Sequence, residues 1–204
     1  MRSTDYNDYT IKNGKFIGSF EAMYQNCPDP WHQDSVLPKN KELALTLLTH
    51  YRFSRVLDVG CGTGKFTTQI QKATEAQVAG LDTSPTAISK AIARYPQVKF
   101  SVATVPPLPY ADRSFDLVIA SELLWYILPS LAIFFAEVQR VLVADGYFMI
   151  LQQFYQPGQQ KYGAEVMQNL DEMLRLLPFE VEWTVEVSRF INYETITMCR
   201  VLQP

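Results

Sequence analysis

Apolar and polar residues follow one another along this chain in two rhythms, and the switches between them mark out elements. From position 37 onward, Leu43, Leu47 and Leu48 fall at i, i+4 and i+5, with Ala44 and Tyr51 on the same face. That spacing predicts an amphipathic helix. "RVLDVG" (55–60) then reads as a buried strand stopped by glycine, "FTTQIQKAT" (66–74) as a helix and "QVAGLD" (77–82) as a second strand. "SPTAISKAIARY" is a helix with Ser84 as N-cap and Pro85 at its first position. "VKFSVA" (98–103) and "FDLVIAS" (115–121) are the third and fourth strands, 131–142 a helix, and "GYFMILQQF" (146–154) the fifth strand. A helix over 164–177 precedes "EVEWTVEVSRF" (180–190), where Val181, Trp183, Val185 and Val187 alternate strictly with polar residues. "ETITMCRVL" (194–202) alternates as well. Strands alternating with helices imply a parallel sheet covered on both faces, whereas the last two strands have no room for a helix between them and form a hairpin. The expectation is an α/β fold: a doubly wound, mostly parallel seven-stranded sheet with an antiparallel last strand.

Residues 1–35 break this rhythm. They are rich in Tyr, Asn, Asp and Gly and end in the turn cluster "CPDPW" (27–31). Tyr6, Tyr9, Phe16, Phe20, Tyr24 and Trp31 make the segment too aromatic for a disordered tail. It is predicted to be an N-terminal arm or cap packed over a domain spanning 36–204.

The length of 204 residues fits one domain with a short appendage. Eighteen Lys and Arg against 21 Asp and Glu leave a net charge of -3, so there is no positive field to hold a phosphate backbone. A nucleic-acid partner is therefore not expected. Cys27, Cys61 and Cys199 form no CxxC pair, and His32 and His50 have no zinc-ligand spacing, so no metal is expected either. The polar start "MRSTDYNDYTIKNGK" is not a signal peptide. The longest apolar stretch (123–136) is interrupted by Pro129 and Ser130 and falls short of the roughly 18 residues of a membrane span. These features predict a cytoplasmic soluble protein without a membrane partner. They leave the oligomeric state open.

The chemistry concentrates in "VLDVGCGTG" (56–64), where a buried strand runs into Gly60, Gly62 and Gly64 and a helix follows at once. Such a loop brings backbone close to a ligand at the carboxyl end of the first strand, where open α/β sheets bind nucleotides. Asp82 ends the second strand, where a carboxylate accepts hydrogen bonds from both hydroxyls of a ribose or, alternatively, caps the next helix. Spacing separates the candidate nucleosides. A dinucleotide loop of the GxGxxG type requires glycine at 65, which is Lys65, while the third glycine comes one residue early. GxGxG preceded by Asp58 in the strand is the pattern of a loop for S-adenosylmethionine. GxxxxGK[ST] is absent, so Lys65 does not mark a P-loop.

"VLDVGCGTG", Asp82, "LPYADRSFDLVIAS" and the final hairpin together resemble the class I S-adenosylmethionine-dependent methyltransferases, over about 35–204. The resemblance implies their Rossmann-like fold. "DPW" (29–31) and "SELLWYI" (121–127) are similar to the nodulation protein S group, which N-methylates an amino-sugar oligosaccharide. By this resemblance, Gly60 and Gly62 face the methionine part of the cofactor, Asp58 supports the loop and the amino group, and Asp82 holds the ribose. Thr83 flanks the adenine, and Ala103, Thr104 and Val105 meet its edge. Cys61, Gly64 and Ser121 complete the implied cofactor shell, Cys61 also having the character of a small packing residue. Thr104 departs from the family, whose members often carry Asp there, and offers the adenine an acceptor without charge.

The methyl of a sulfonium is already activated, so the protein needs mainly to align an acceptor and exclude water. Glu122, directly after the fourth strand, is the first candidate to orient an acceptor amine or take its proton; a solvated loop residue is the alternative. Tyr126 and Trp125 are candidate walls of the acceptor pocket or core residues, and His32, beside Trp31, is a candidate base or a surface residue. Tyr6, Tyr9 and Tyr24 either close over the sulfonium as aromatic faces or fasten the arm. The expected function is S-adenosylmethionine-dependent methyl transfer to an amine or hydroxyl of a small polar metabolite, sugars and oligosaccharides included, releasing S-adenosylhomocysteine. The alternatives are an NAD-dependent oxidoreductase and a non-catalytic methyltransferase-like binding domain.

Overall fold

Val56 and Leu57 are consecutive residues of one strand and both are fully buried, so that strand is covered on both faces. A computed structural model, describing residues 3–32, 37–156, 158–159, 162–188 and 192–201, shows how. The arm begins with a 3-10 turn (Tyr6–Asp8), a small hairpin of β1 (Ile11–Lys12) and β2 (Lys15–Phe16), and helix α1 (Phe20–Asn26). The main sheet follows as α2 (Lys39–Leu48), β3 (Arg55–Val59), α3 (Lys65–Thr74), β4 (Gln77–Asp82), α4 (Pro85–Arg94), β5 (Lys99–Val102) and β6 (Phe115–Ser121). It is completed by α5 (Leu131–Val141), β7 (Leu142–Tyr155), α6 (Leu170–Leu176), β8 (Glu180–Ser188) and β9 (Asn192–Arg200).

The seven strands lie in the order β5-β4-β3-β6-β7-β9-β8. The first five pair in parallel, and β9 is antiparallel to both β7 and β8. The period of two along each strand sorts the core. Leu57, Val59, Val118, Ala120, Phe148 and Ile150 pack on the α5 side, against Phe134, Phe135 and Val138. Val56, Leu117, Ile119, Met149 and Leu151 pack on the other side, with Ala44 and Leu48 of α2 and Phe66 and Ile70 of α3. Chain order reverses at β3, with β4 on one side and β6 on the other, so a crevice opens beyond the carboxyl ends of β3 and β6.

Four expectations change. β7 starts at Leu142 rather than 146, because its pairing with β6 begins at Phe115 and Leu142 and then shifts register through a bulge containing Asp145 at φ 60°. The helix expected over 164–177 is shorter: residues 163–167 form turns, and Asn169 caps α6 by accepting from the Glu172 N–H. The strict alternation of β8 breaks between Val181 and Trp183, where the register also shifts. Helix α2 covers Lys39–Leu48, so Tyr51, expected on its apolar face, lies beyond its end. The expected boundary between arm and domain, at 35–36, lies outside the described residues, as do the expected strand ends at 189–190 and 202. Among the described residues, no helix is long and apolar enough to cross a membrane.

Candidate functional site

The switch-point crevice is the floor of a cavity of about 1170 Å³. Gly60 leaves β3 at φ 78°, and a Cβ there would stand 3.3 Å from Leu123 Cδ1, so the bare backbone forms part of the cavity wall. The rest of the glycine loop is bound to the protein. The N–H groups of Gly60 and Cys61 both donate to the Leu81 carbonyl, Gly62 N–H donates to Asp82 Oδ2 at 3.0 Å, and Gly64 N–H donates to the Cys61 carbonyl. These four amides are spent inside the protein and do not face a ligand.

Asp82 lines the cavity at the end of β4 and is 9% exposed. Its Oδ1 accepts from Ser84 N–H at 2.9 Å, and the Thr83 N–H bonds to the carboxylate as well, so three backbone donors fix it at the cavity wall. Burial raises its pKa, partly offset by those backbone bonds. Ser84, not Asp82, caps α4, through the Ala87 N–H. Thr83, Ala103, Thr104 and Val105 line the adjoining rim, where the Thr83 and Thr104 hydroxyls are hydrogen-bonded at 2.8 Å.

Beneath the loop, Asp58 is 2% exposed and accepts from Thr67 Oγ1 at 2.6 Å; burial lifts its pKa to about 6. It supports the loop without lining the cavity. Cys61 is buried beside it, and Gly64 packs against β5, where a Cβ would come within 2.6 Å of the Phe100 ring. Gly62, Gly64, Cys61 and Asp58 therefore shape the loop from below rather than facing the cavity.

Glu122 lines the opposite end, in the left-handed region at φ 55°. Its N–H extends the β6–β7 ladder to the Leu151 carbonyl, which turns the side chain out of the strand. Its Oε2 accepts from Gln153 N–H at 3.0 Å and Gln152 Nε2 at 3.2 Å. Burial pushes its pKa up to about 7, with Lys41 pulling down and Glu194 pushing up. Ser121 also lines the cavity, and its hydroxyl is buried without a protein partner, as is Oε1 of Gln69. Tyr126 lines the cavity between Phe20, at 5.1 Å, and Trp31, at 5.9 Å between ring centroids. Burial and the Glu122 charge raise its pKa, which keeps the phenol neutral. Trp125 is 7% exposed and donates to the Gln153 carbonyl, combining core and wall.

His32 is not brought to the cavity. The turn before it sends Trp31 inward, while His32 sits at φ 51° with an exposed side chain. Tyr6 and Tyr24 line the cavity and Tyr9 does not; the Tyr9 hydroxyl donates to the Ser3 carbonyl. Sequence reasoning missed Asn40, Lys41 and Glu194. Lys41 of α2 lies over the Phe66 ring at 4.8 Å, and Asn40 N–H donates to Glu194 Oε2 at 3.1 Å. Glu194 stands two and four residues before the buried Ile196 and Met198 on one face of β9, so a charge at an inward position was its readable signal.

A methyltransferase domain family matches residues 57–150, the stretch from the glycine loop's strand into β7. Over that stretch the sequence is similar to a methyltransferase domain. The chain is similar to the O-methyltransferase rstn1 of Aspergillus nomiae, 33% identical over 129 residues that cover 58% of this chain and 56% of that one. It spans about half the length, or less, of the curated relatives it matches. Among solved structures it shares its fold with the N-methyltransferase NodS of Bradyrhizobium japonicum in complex with S-adenosylhomocysteine. That likeness has a TM-score of 0.68 at 16% identity, over 86% of this chain and 93% of that one. A Pyrococcus horikoshii protein shares the fold with a TM-score of 0.67 at 20% identity, over 96% of both chains. The site fits an adenosyl cofactor on its own geometry: a bare glycine wall, a buried carboxylate fixed by backbone at the cavity wall, and two orphaned buried oxygens in one cavity.

Proposed function

We propose that this protein transfers a methyl group from S-adenosylmethionine to an amine or hydroxyl of a small polar metabolite, with sugars among the candidates. One observation supports this reading above others: Asp82, fitted for a ribose, and Glu122, fitted for a proton, line the same cavity. When bound, S-adenosylmethionine supplies a methyl group already activated on a sulfonium.

The residues of the chain do the rest. Asp82 accepts from the two ribose hydroxyls, Thr83 and the 103–105 turn border the adenine, and Gly60 lets the amino-acid part lie against backbone. Thr104 meets the adenine as an uncharged partner already bonded to Thr83. Ser121 Oγ and Gln69 Oε1 gain the partners they otherwise lack. Glu122 orients the acceptor and takes its proton; a carboxylate with a pKa of about 7 is half ionised at neutral pH and matched to that task. Residues 1–35 act as a cap that excludes water from the acceptor side of the 36–204 domain, in a cytoplasmic setting.

The test is calorimetry with S-adenosylhomocysteine, followed by transfer of labelled methyl from S-adenosylmethionine to a panel of amines, sugars and phenols. Micromolar nucleoside binding with label in an amine or hydroxyl product is expected. Cofactor binding without any transfer would favour a binding domain, and NADH binding without a nucleoside response would overturn the reading.

A further inference from the structure

The cavity is more than a nucleoside site, and its far end has a chemistry of its own. Phe16, Phe20, Trp31, Tyr126 and Tyr162 all line it, linked ring to ring at centroid separations of 5.1–6.3 Å. Four of these rings come from outside the 57–150 stretch, three of them from the arm. Such walls offer an acceptor π faces and few hydrogen bonds, which suits a compact apolar or aromatic body better than a polyhydroxylated one.

Charge sets the rest. Among the described residues, the cavity wall carries the carboxylates Glu21, Asp82, Glu122 and Glu194 against the cations Lys41 and Lys65. Glu21 is committed to Ser84 and Thr86, and Asp82 lies at the ribose end. Glu122 and Glu194 line the same cavity, Glu194 accepting from Asn40 N–H, and the charge of Glu122 is felt at the hydroxyls of both Tyr126 and Tyr155. Lys41 and Lys65 together do not reverse the sign, because the wall carries four carboxylates to two ammonium groups, and Asp58 beneath the loop adds to the negative charge acting on Lys41. π faces and carboxylates together attract a cation. The same surroundings oppose a phenol, whose reactive form is an anion.

Resting on the methyl-transfer reading, we infer that the acceptor is an amine that enters as a cation on an apolar or aromatic body, its ammonium held between the aromatic roof and Glu122 with Glu194. Glu122 is then where the ammonium proton goes, leaving the nitrogen lone pair free. A hydroxyl compound of the same shape fills the cavity without satisfying those charges.

The experiment titrates 2-phenylethylamine, 2-phenylethanol and 4-ethylphenol, close in size and apolar character, into protein saturated with S-adenosylhomocysteine at pH 7, read by calorimetry. The amine is expected to bind at least tenfold tighter than either hydroxyl compound. Glu122→Gln and Glu194→Gln should each shrink that ratio severalfold, and Trp31→Leu should weaken the amine more than the alcohol. The wild-type ratio decides by itself, so a variant that fails to fold does not blunt the test. Equal or tighter binding of the alcohol or phenol overturns the inference, and so does silence from all three while S-adenosylhomocysteine binds. Failure of S-adenosylhomocysteine to bind would be a different result, overturning the cofactor reading itself.

Discussion

Asp82 holds two positions at once: it accepts from the backbone N–H groups of Gly62, Thr83 and Ser84 and lines the cavity at the end of β4. Asp82→Asn conserves its shape but turns one acceptor into a donor facing a protein N–H or a ribose hydroxyl. With hydrogen bonds to a charged group worth about 1.5–3 kcal/mol, affinity for S-adenosylhomocysteine should fall at least tenfold by calorimetry. Unchanged affinity would place the ribose elsewhere. For Glu122 the proposed role predicts an effect on rate rather than on cofactor binding. Its pKa of about 7 predicts that kcat/KM rises with pH through an inflection near 7, as the carboxylate ionises. Glu122→Gln should remove that inflection and lower kcat by roughly 10²-fold, in the range typical of a lost general base. A variant that instead loses cofactor affinity at constant turnover would assign Glu122 to the cofactor.

At the scale of elements, the arm is fastened to α4 by packing against Ala87, by Lys90 Nζ donating to the Tyr24 carbonyl at 2.7 Å, and by one carboxylate. Glu21 of α1 accepts from the Ser84 and Thr86 hydroxyls and from Thr86 N–H at 3.1 Å, at the start of α4, and these donors hold its pKa at about 2. An anion there also meets the positive end of the helix dipole. Ser84 links this contact to the site, since its own N–H donates to Asp82. Glu21→Ala should loosen the arm, seen as faster proteolysis before position 32 and a faster off-rate of S-adenosylhomocysteine; unchanged rates would mean that the rings, the Ala87 packing and Lys90 suffice to hold it. None of this was readable beforehand, because 63 residues separate Glu21 from Ser84 and nothing local announces the pair. What was readable had local causes. The period of two, Ser84 with Pro85, and the glycines after a buried strand each act within a few residues, and they yielded the sheet, α4 and the Gly60–Asp82 corner. The early start of β7 depends on a bulge against β6, and Lys41 and Glu194 meet only once α2 and β9 pack on the same side of the sheet. The five-ring roof likewise joins the arm to residues 126 and 162 across the cavity.

For the whole molecule, the site leaves its mark on stability against pH. Burial raises Glu122 from 4.5 to about 7 and Asp58 from 3.8 to about 6, so the folded chain binds these protons more tightly than the unfolded chain does. Their contribution is fully present below the unfolded pKa values and is lost as pH rises through about 6 to 7. Glu21 and Glu137 have the opposite sign: both are lowered from 4.5 to about 2, by their hydrogen bonds to Ser84 and Thr86 and to Arg140 respectively. Their contribution is present above 4.5 and is lost as pH falls through about 2. The two windows leave the ligand-free protein most stable between about pH 4 and 4.5, and declining from pH 5 upward. One pKa unit is worth about 1.4 kcal/mol, so the buried pair costs about 2 kcal/mol or more between pH 5 and 8, or roughly 4–8 °C in Tm for a chain of this size. Thermal unfolding at pH 5, 6, 7 and 8 should show Tm declining across the series, and Glu122→Gln should flatten the decline while raising Tm at pH 8. A Tm that rises from pH 5 to 8 would mean that Glu122 and Asp58 are ionised at little cost. A catalytic carboxylate kept in reserve by burial would then no longer describe this cavity. Saturating S-adenosylhomocysteine should lift the whole curve, by about 2.7 kcal/mol at a hundred times Kd, because only the folded chain assembles the corner that holds it.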